Sequence, residues 1–229
     1  INFNMGFGLA FYSQRNNVPD RNKIYSHRTI QLFMIQRYPI DHLILKTKFK
    51  YHKEYKQNIL KYFTQDSSTS FERKDHHYND KFKRDDWLKA QDWERPWIKY
   101  ALSGLQEHLL MFAQELGYKN ISITKMWYQQ YAYKDLHNWH IHGGNYTGVY
   151  YLEYDDTCPL TEFTYPNNME KSFSIESEEG DMLFFPCFLI HRSPMSQSKN
   201  RKSIISWNLD FEEIQSKYLN NKIVPPTLI

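Results

Sequence analysis

The sequence predicts a mainly β fold with supporting α-helices, and three observations carry that reading. Apolar, aromatic and β-branched runs at about 121–133, 147–154, 181–186, 188–193 and 202–211 are separated by polar loops, which favours antiparallel pairing over a βαβ arrangement. One amphipathic helix is clear, from Pro96 to Leu116. Aromatic residues make up 17% of the 229 residues, with six tryptophans and 18 tyrosines, a composition that suits a ring-lined barrel and ordinary packing alike. A chain of this length can bury one sizeable core and remain one domain.

Taken in order, residues 1–40 read as irregular, with a turn at Asn16-Asn17-Val18-Pro19-Asp20. His42–Tyr51 alternates as a strand, and Glu54–Phe63 reads as a short helix. Asp66-Ser67-Ser68-Thr69-Ser70 signals a loop. Phe71–Trp93 is dense in both charge signs and carries Tyr78, Phe82, Trp87 and Trp93; it reads either as a solvated excursion or as a lid over a substrate. In the long helix, Pro96 suits the first turn, Ile98, Leu102, Leu105, Leu109, Phe112 and Leu116 form the apolar stripe, and Gly117 ends it. The expected organisation is a single domain over 1–229, with a support region 1–117 containing the possible lid 71–93, a β core 118–212 and a C-terminal tail 213–229.

Net charge is +3 with acidic and basic residues interleaved, which argues against a nucleic-acid stripe. Two cysteines, Cys158 and Cys187, give no disulfide framework. The N-terminus lacks a charged segment followed by an apolar core, and no run reaches the ~20 apolar residues a bilayer span needs. The expectation is a cytoplasmic protein without a membrane partner.

Three segments then read as one metal site: Trp139-His140-Ile141-His142, Gly180–Pro186 leading to His191, and Arg201-Lys202-Ser203. In extended chain, residues i and i+2 share a side, so His140 and His142 can face one cavity. His191 would close the set from another strand. An oxygen-activating ferrous ion takes its protein ligands on one face, usually two histidines and a carboxylate, and leaves the others open. The guanidinium of Arg201 could hold an organic acid in a fork that lysine cannot make.

Gly180-Asp181 before a strand, His191 near its end and Arg201 beyond resemble the 2-oxoglutarate/Fe(II)-dependent dioxygenase superfamily over roughly residues 121–211. His140–Leu152 followed by Gly180–Pro186 resembles its uncharacterised oxygenases from phages and cyanobacteria. The resemblance implies a double-stranded β-helix, or cupin-like jelly roll, and an enzyme using Fe(II), 2-oxoglutarate and O2, which decarboxylates the keto acid to succinate as it hydroxylates a substrate. It makes His140 and His191 iron ligands, with Arg201 binding the distal carboxylate and Ser203 assisting. Tyr131, nine residues before His140, falls where relatives use a tyrosine on the co-substrate, and Gln129 is in register with it.

The departure is His142, where most of the superfamily has a carboxylate. Either His142 is a third neutral ligand, or it lies outside the ligand set, or it is itself the first ligand with Gly144 in the vacant carboxylate position; the spacing to Tyr131 and Thr147 favours His140 as first. Two other readings share the architecture: a cupin-type three-histidine metalloenzyme that does not use 2-oxoglutarate, and a ligand-binding β-barrel without redox chemistry. For the primary substrate, a protein or peptide side chain or a small metabolite ranks above a nucleobase. The other histidines carry no pattern, and His137 reads as part of an approach loop.

Overall fold

Two antiparallel sheets account for the strands of the computed structural model, which describes residues 36–39, 43–65, 84–165 and 168–219. In chain order the strands are β1 (Gln36–Pro39), β2 (Leu43–Lys48), β3 (Arg84–Asp85), β4 (Tyr118–Tyr131), β5 (His137–His140), β6 (Tyr146–Glu153), β7 (Glu162–Tyr165), β8 (Asn168–Ser174), β9 (Asp181–Pro186), β10 (His191–Ser193) and β11 (Lys202–Ile214). Helices α1 (His52–Gln65), α2 (Ile98–Glu115) and α3 (Ser216–Leu219) complete the described elements. The larger sheet runs β1-β2-β9-β6-β11-β4-β3 and the smaller runs β5-β10-β7-β8. This is the expected jelly roll.

Why the large sheet is apolar on both faces follows from its strand parity. Met182 and Phe184, Tyr150 and Leu152, and Ile205, Trp207 and Leu209 face α1 and α2 in one core. Their neighbours Leu183 and Phe185, Val149 and Tyr151, and Ile204 face the small sheet in a second core with Phe163 and Leu189. With both faces covered, alternation disappears from the sequence and near-continuous apolar runs replace it. Helix α2 supplies the outer layer through Ile98, Ala101, Leu105, Leu109 and Phe112, the stripe expected from its 3.6-residue period.

Of the segment 71–93, residues 71–83 lie outside the described residues, and 84–93 are held against the sheet edge. β3 pairs with the end of β4, and a short 3-10 turn follows at Trp87–Lys89. The buried Asp86 accepts from the Tyr128 backbone N–H at 2.8 Å and from Trp97 Nε1 at 2.9 Å, and it pairs with Arg95, which donates to the Met126 carbonyl at 2.7 Å. A buried ion pair of this kind survives because hydrogen bonds, three to the Asp86 carboxylate and three from the Arg95 guanidinium, satisfy most of its lone pairs and protons. Residues 84–90 are thereby fastened to β4. The sequence pattern does not mark strands β5, β7 and β8 or the bounds of β10: β5, β7 and β10 have three or four residues each, and β8 is exposed along most of its length.

Candidate metal centre

The small sheet sets two of the three imidazoles directly opposite one another, because His140 of β5 and His191 of β10 are register partners. His142 follows β5 in a turn fastened by its own N–H to the Cys187 carbonyl at 2.9 Å. Its ring stacks on Trp127, with centroids 5.5 Å apart, and takes a side-chain hydrogen bond with Asn208. One donor atom from each of His140, His142 and His191 can be chosen so that all lie within 4.8 Å of one another, and among the described residues this is the only such group.

The donor chemistry fits a metal. His140 Nδ1 lies 2.7 Å from the Asn138 carbonyl and His191 Nδ1 lies 2.8 Å from the Leu189 carbonyl. A carbonyl only accepts, so each Nδ1 carries the proton and each Nε2 presents a lone pair. His142 Nε2 and His191 Nε2 stand 3.1 Å apart. Two nitrogens bound at ~2.1 Å and at a right angle on one ion would stand about 3.0 Å apart. Burial, then the charge of His140, drives the His142 pKa down to about 3 and holds that of His191 well below the usual range, so both imidazoles are neutral and able to ligate. No carboxylate completes the set among the described residues. The Gly144 register finds no support: at φ +109°, a Cβ there would run into the Leu209 carbonyl and Asp210, not toward the triad.

Tyr131 and Gln129 are beside the triad. Both line a narrow inner cavity of about 30 Å³ beside the triad, and the Tyr131 hydroxyl donates to Gln129 Oε1 at 3.2 Å. Arg201 and Ser203 are not. Arg201 is 41% exposed at the side chain and forks onto Glu153, Nε to Oε2 at 2.7 Å and Nη2 to Oε1 at 3.0 Å. Ser203 donates to the same carboxylate at 2.7 Å. The correction has a simple cause. With period 2, Arg201 and Ser203 share a side with Ile205 and Trp207, which face the helices, whereas Lys202 shares a side with Ile204 and Ser206, which line the inner cavity.

Lys202, which the sequence reading passed over, is the cation on the inner side of β11. It is 1% exposed and is the register partner of Tyr131, with Nζ 4.7 Å from that ring. Nζ donates to Ser193 Oγ at 2.6 Å and to the Pro159 carbonyl at 2.7 Å, and no carboxylate pairs with it among the described residues. Burial lowers its pKa to about 7. A buried ammonium with two of its three donors used and no counter-ion is a ready anion site.

Above the triad opens a second cavity of about 350 Å³, walled by Trp87, Trp127, Lys125, Asp210 and the Gly143-Gly144 turn. It shares Trp127, Gln129, His137, His140 and His142 with the inner one. His137 belongs to β5, not to an approach loop, and its ring stacks on His140 at 3.7 Å between centroids. Gly148 lets β6 pass under Trp207, since any Cβ there would enter the indole.

Fold and site thus define a double-stranded β-helix with a histidine triad between its sheets. No family model matches the chain and no curated protein matches it. Solved structures do share its fold. A prolyl-4-hydroxylase from Pseudomonas putida is similar at 11% identity and TM-score 0.51, over 75% of this chain and 93% of that one. A prolyl hydroxylase from Trichoplax adhaerens, solved with a hypoxia-inducible-factor peptide, is similar at 19% identity and TM-score 0.50, over 78% and 87%. A viral collagen prolyl hydroxylase from Paramecium bursaria Chlorella virus-1, solved with 2OG, is similar at 12% and 0.50, over 72% and 94%. The chain spans 61% of the length of a 2OG-Fe(II) oxygenase family oxidoreductase from Burkholderia pseudomallei, at TM-score 0.45. Among the described residues no helix is long and apolar enough to cross a membrane.

Proposed function

We propose that this chain is a 2-oxoglutarate- and Fe(II)-dependent dioxygenase that hydroxylates a peptide side chain or a small metabolite, converting 2-oxoglutarate to succinate. The observation that carries the reading is the buried Lys202, without a carboxylate partner among the described residues, against Tyr131, whose ring lines the cavity at the triad. A metal site alone needs no such cation; a site that also holds a dianionic acid does. His140, His142 and His191 would hold the iron, which supplies the oxygen chemistry when bound. Lys202 takes over from Arg201 the role of holding the distal carboxylate, with Tyr131 and Ser193 beside it. The solved neighbours support the assignment, since three are named as prolyl hydroxylases and one of these is complexed with 2OG. The inner cavity is narrow for a five-carbon diacid, so seating it requires the Tyr131–Ile204 walls to give way.

The all-imidazole donor set favours one second reading, a three-histidine metalloenzyme that does not use 2-oxoglutarate. Three neutral ligands leave the ion one positive charge higher than a set containing a carboxylate. Anaerobic titration of the protein with ferrous iron and then 2-oxoglutarate separates the two. The oxygenase reading expects stoichiometric iron and a visible charge-transfer band that saturates with the keto acid; iron binding with no band and no calorimetric heat from 2-oxoglutarate selects the other.

A further inference from the structure

We infer that the outer cavity takes a small zwitterion of the free amino-acid type, its carboxylate on Lys125, its ammonium on Asp210 and an apolar side chain directed along Trp127 toward the triad. The inference rests on the oxygenase reading and names the class of its primary substrate.

Two opposite charges line one cavity without neutralising each other. Lys125 is the register partner of Asn208, and Asp210 lies two residues further along β11, so the two sit diagonally across adjacent strands. Both are half-buried, and neither has an ion-pair partner among the described residues. Diagonal neighbours are within reach of a long side chain, yet Lys125 and Asp210 form no ion pair, which leaves both charges open to one ligand bridging them. Lys125 stands at the tryptophan end, its Nζ 4.9 Å from the Trp87 ring centroid. Asp210 stands at the other, against Gly144.

The backbone has been shaped to aim these groups. Register slips between Asn208 and Leu209, leaving Thr124 without a partner, and at this bulge Thr124 and Lys125 both line the cavity although they are consecutive. Bulges beside a site commonly re-aim a side chain in this way. Beside Lys125 the wall is indole: Trp87 and Trp127 meet edge to face, 4.5 Å between centroids. A cavity of about 350 Å³ is in the range of small-ligand sites. A neutral peptide backbone would use neither charge, and an anion alone would meet Asp210.

The test is calorimetry on the full chain, anaerobic, with Fe(II) and 2-oxoglutarate present. The probes are free L-leucine, L-methionine, L-proline and L-phenylalanine, each paired with its N-acetyl and methyl-ester derivatives. At least one free amino acid is expected to bind at 1:1. Blocking either terminus should weaken it about 10- to 100-fold, as for losing one charge-assisted hydrogen bond. Lys125→Met should bind acid and ester alike while still rejecting the acetylated amine; Asp210→Asn should do the converse. Retained 2-oxoglutarate binding shows each variant to be folded. Equal binding of free and blocked probes, or no amino-acid binding while 2-oxoglutarate still binds, overturns the inference. Amino-acid binding with no 2-oxoglutarate binding would instead overturn the proposed co-substrate and leave the cleft assignment standing.

Discussion

Replacing Lys202 with methionine should stabilise the apo protein and remove its affinity for 2-oxoglutarate, a pair of effects with opposite signs. Burial takes the Lys202 pKa from 10.5 to about 7, so the folded state disfavours the charged form. At ~1.4 kcal/mol per unit the penalty is on the order of 5 kcal/mol, less roughly 1–3 kcal/mol for the Pro159 carbonyl that methionine would leave without a donor. The sign follows from proton counts. Between about pH 7 and 10.5 the unfolded chain holds a proton on this lysine that the folded chain lacks, so wild-type stability rises with pH across that window. Below about pH 7 the penalty is full and constant. Urea unfolding of wild type and Lys202→Met at pH 6, 8 and 9.5 should therefore show the variant more stable by about 2–4 kcal/mol at pH 6, with the gap closing upward. Calorimetry with 2-oxoglutarate should show at least about a tenfold loss for the variant. In wild type, affinity should fall as pH rises above about 7, since an anion selects the protonated amine. A variant that binds the keto acid normally, or a gap that widens with pH, would refute the reasoning.

Arg201→Ala, by contrast, should leave 2-oxoglutarate affinity within about twofold and cost about 1 kcal/mol in stability, because Arg201 is 41% exposed and its partner Glu153 keeps the hydrogen bond from Ser203. His140→Ala and His191→Ala should each abolish stoichiometric iron by metal analysis, while His142→Asp should retain it; iron retained in His142→Ala would take that residue out of the ligand set. Gly148→Ala should lower stability by about 1–3 kcal/mol in urea unfolding through its clash with Trp207, the ordinary cost of overpacking a core.

Much of the site was legible because its signals are local. His140, His142 and His191 announce themselves by type and spacing, and Tyr131 and Gln129 by parity along one long strand; the structure brings all five together. The cation was misread by one residue. In Arg201-Lys202-Ser203-Ile204-Ile205-Ser206 either parity places one serine and one isoleucine on each side, so the mark of which cation points inward lies further along β11, where Trp207 and Leu209 alternate with Asn208 and Asp210. Arginine's better geometry for carboxylates then decided the reading wrongly. The fold class was legible from apolar runs and one helix, whereas β5, β7 and β8 were not, being short strands whose pairing is set by tertiary contact and not by pattern. Nor could the sequence mark Trp87 as a cavity wall, which depends on the Asp86–Arg95 ion pair tying the chain to β4.

The bulge opposite Asn208 separates two kinds of change. The three imidazoles of the triad come from the small sheet and the turn beyond it, whereas the walls that would recognise a substrate come from β4, β11 and the 3-10 turn. A bulge already breaks the hydrogen-bond ladder at one point, so a residue gained or lost there is absorbed locally instead of reversing every side chain downstream. Segment 122–125 is accordingly the place to diversify in a directed-evolution library meant to alter selectivity while the imidazole cluster stays intact. Insertions in the 137–142 stretch would dismantle the chemistry with the first residue added.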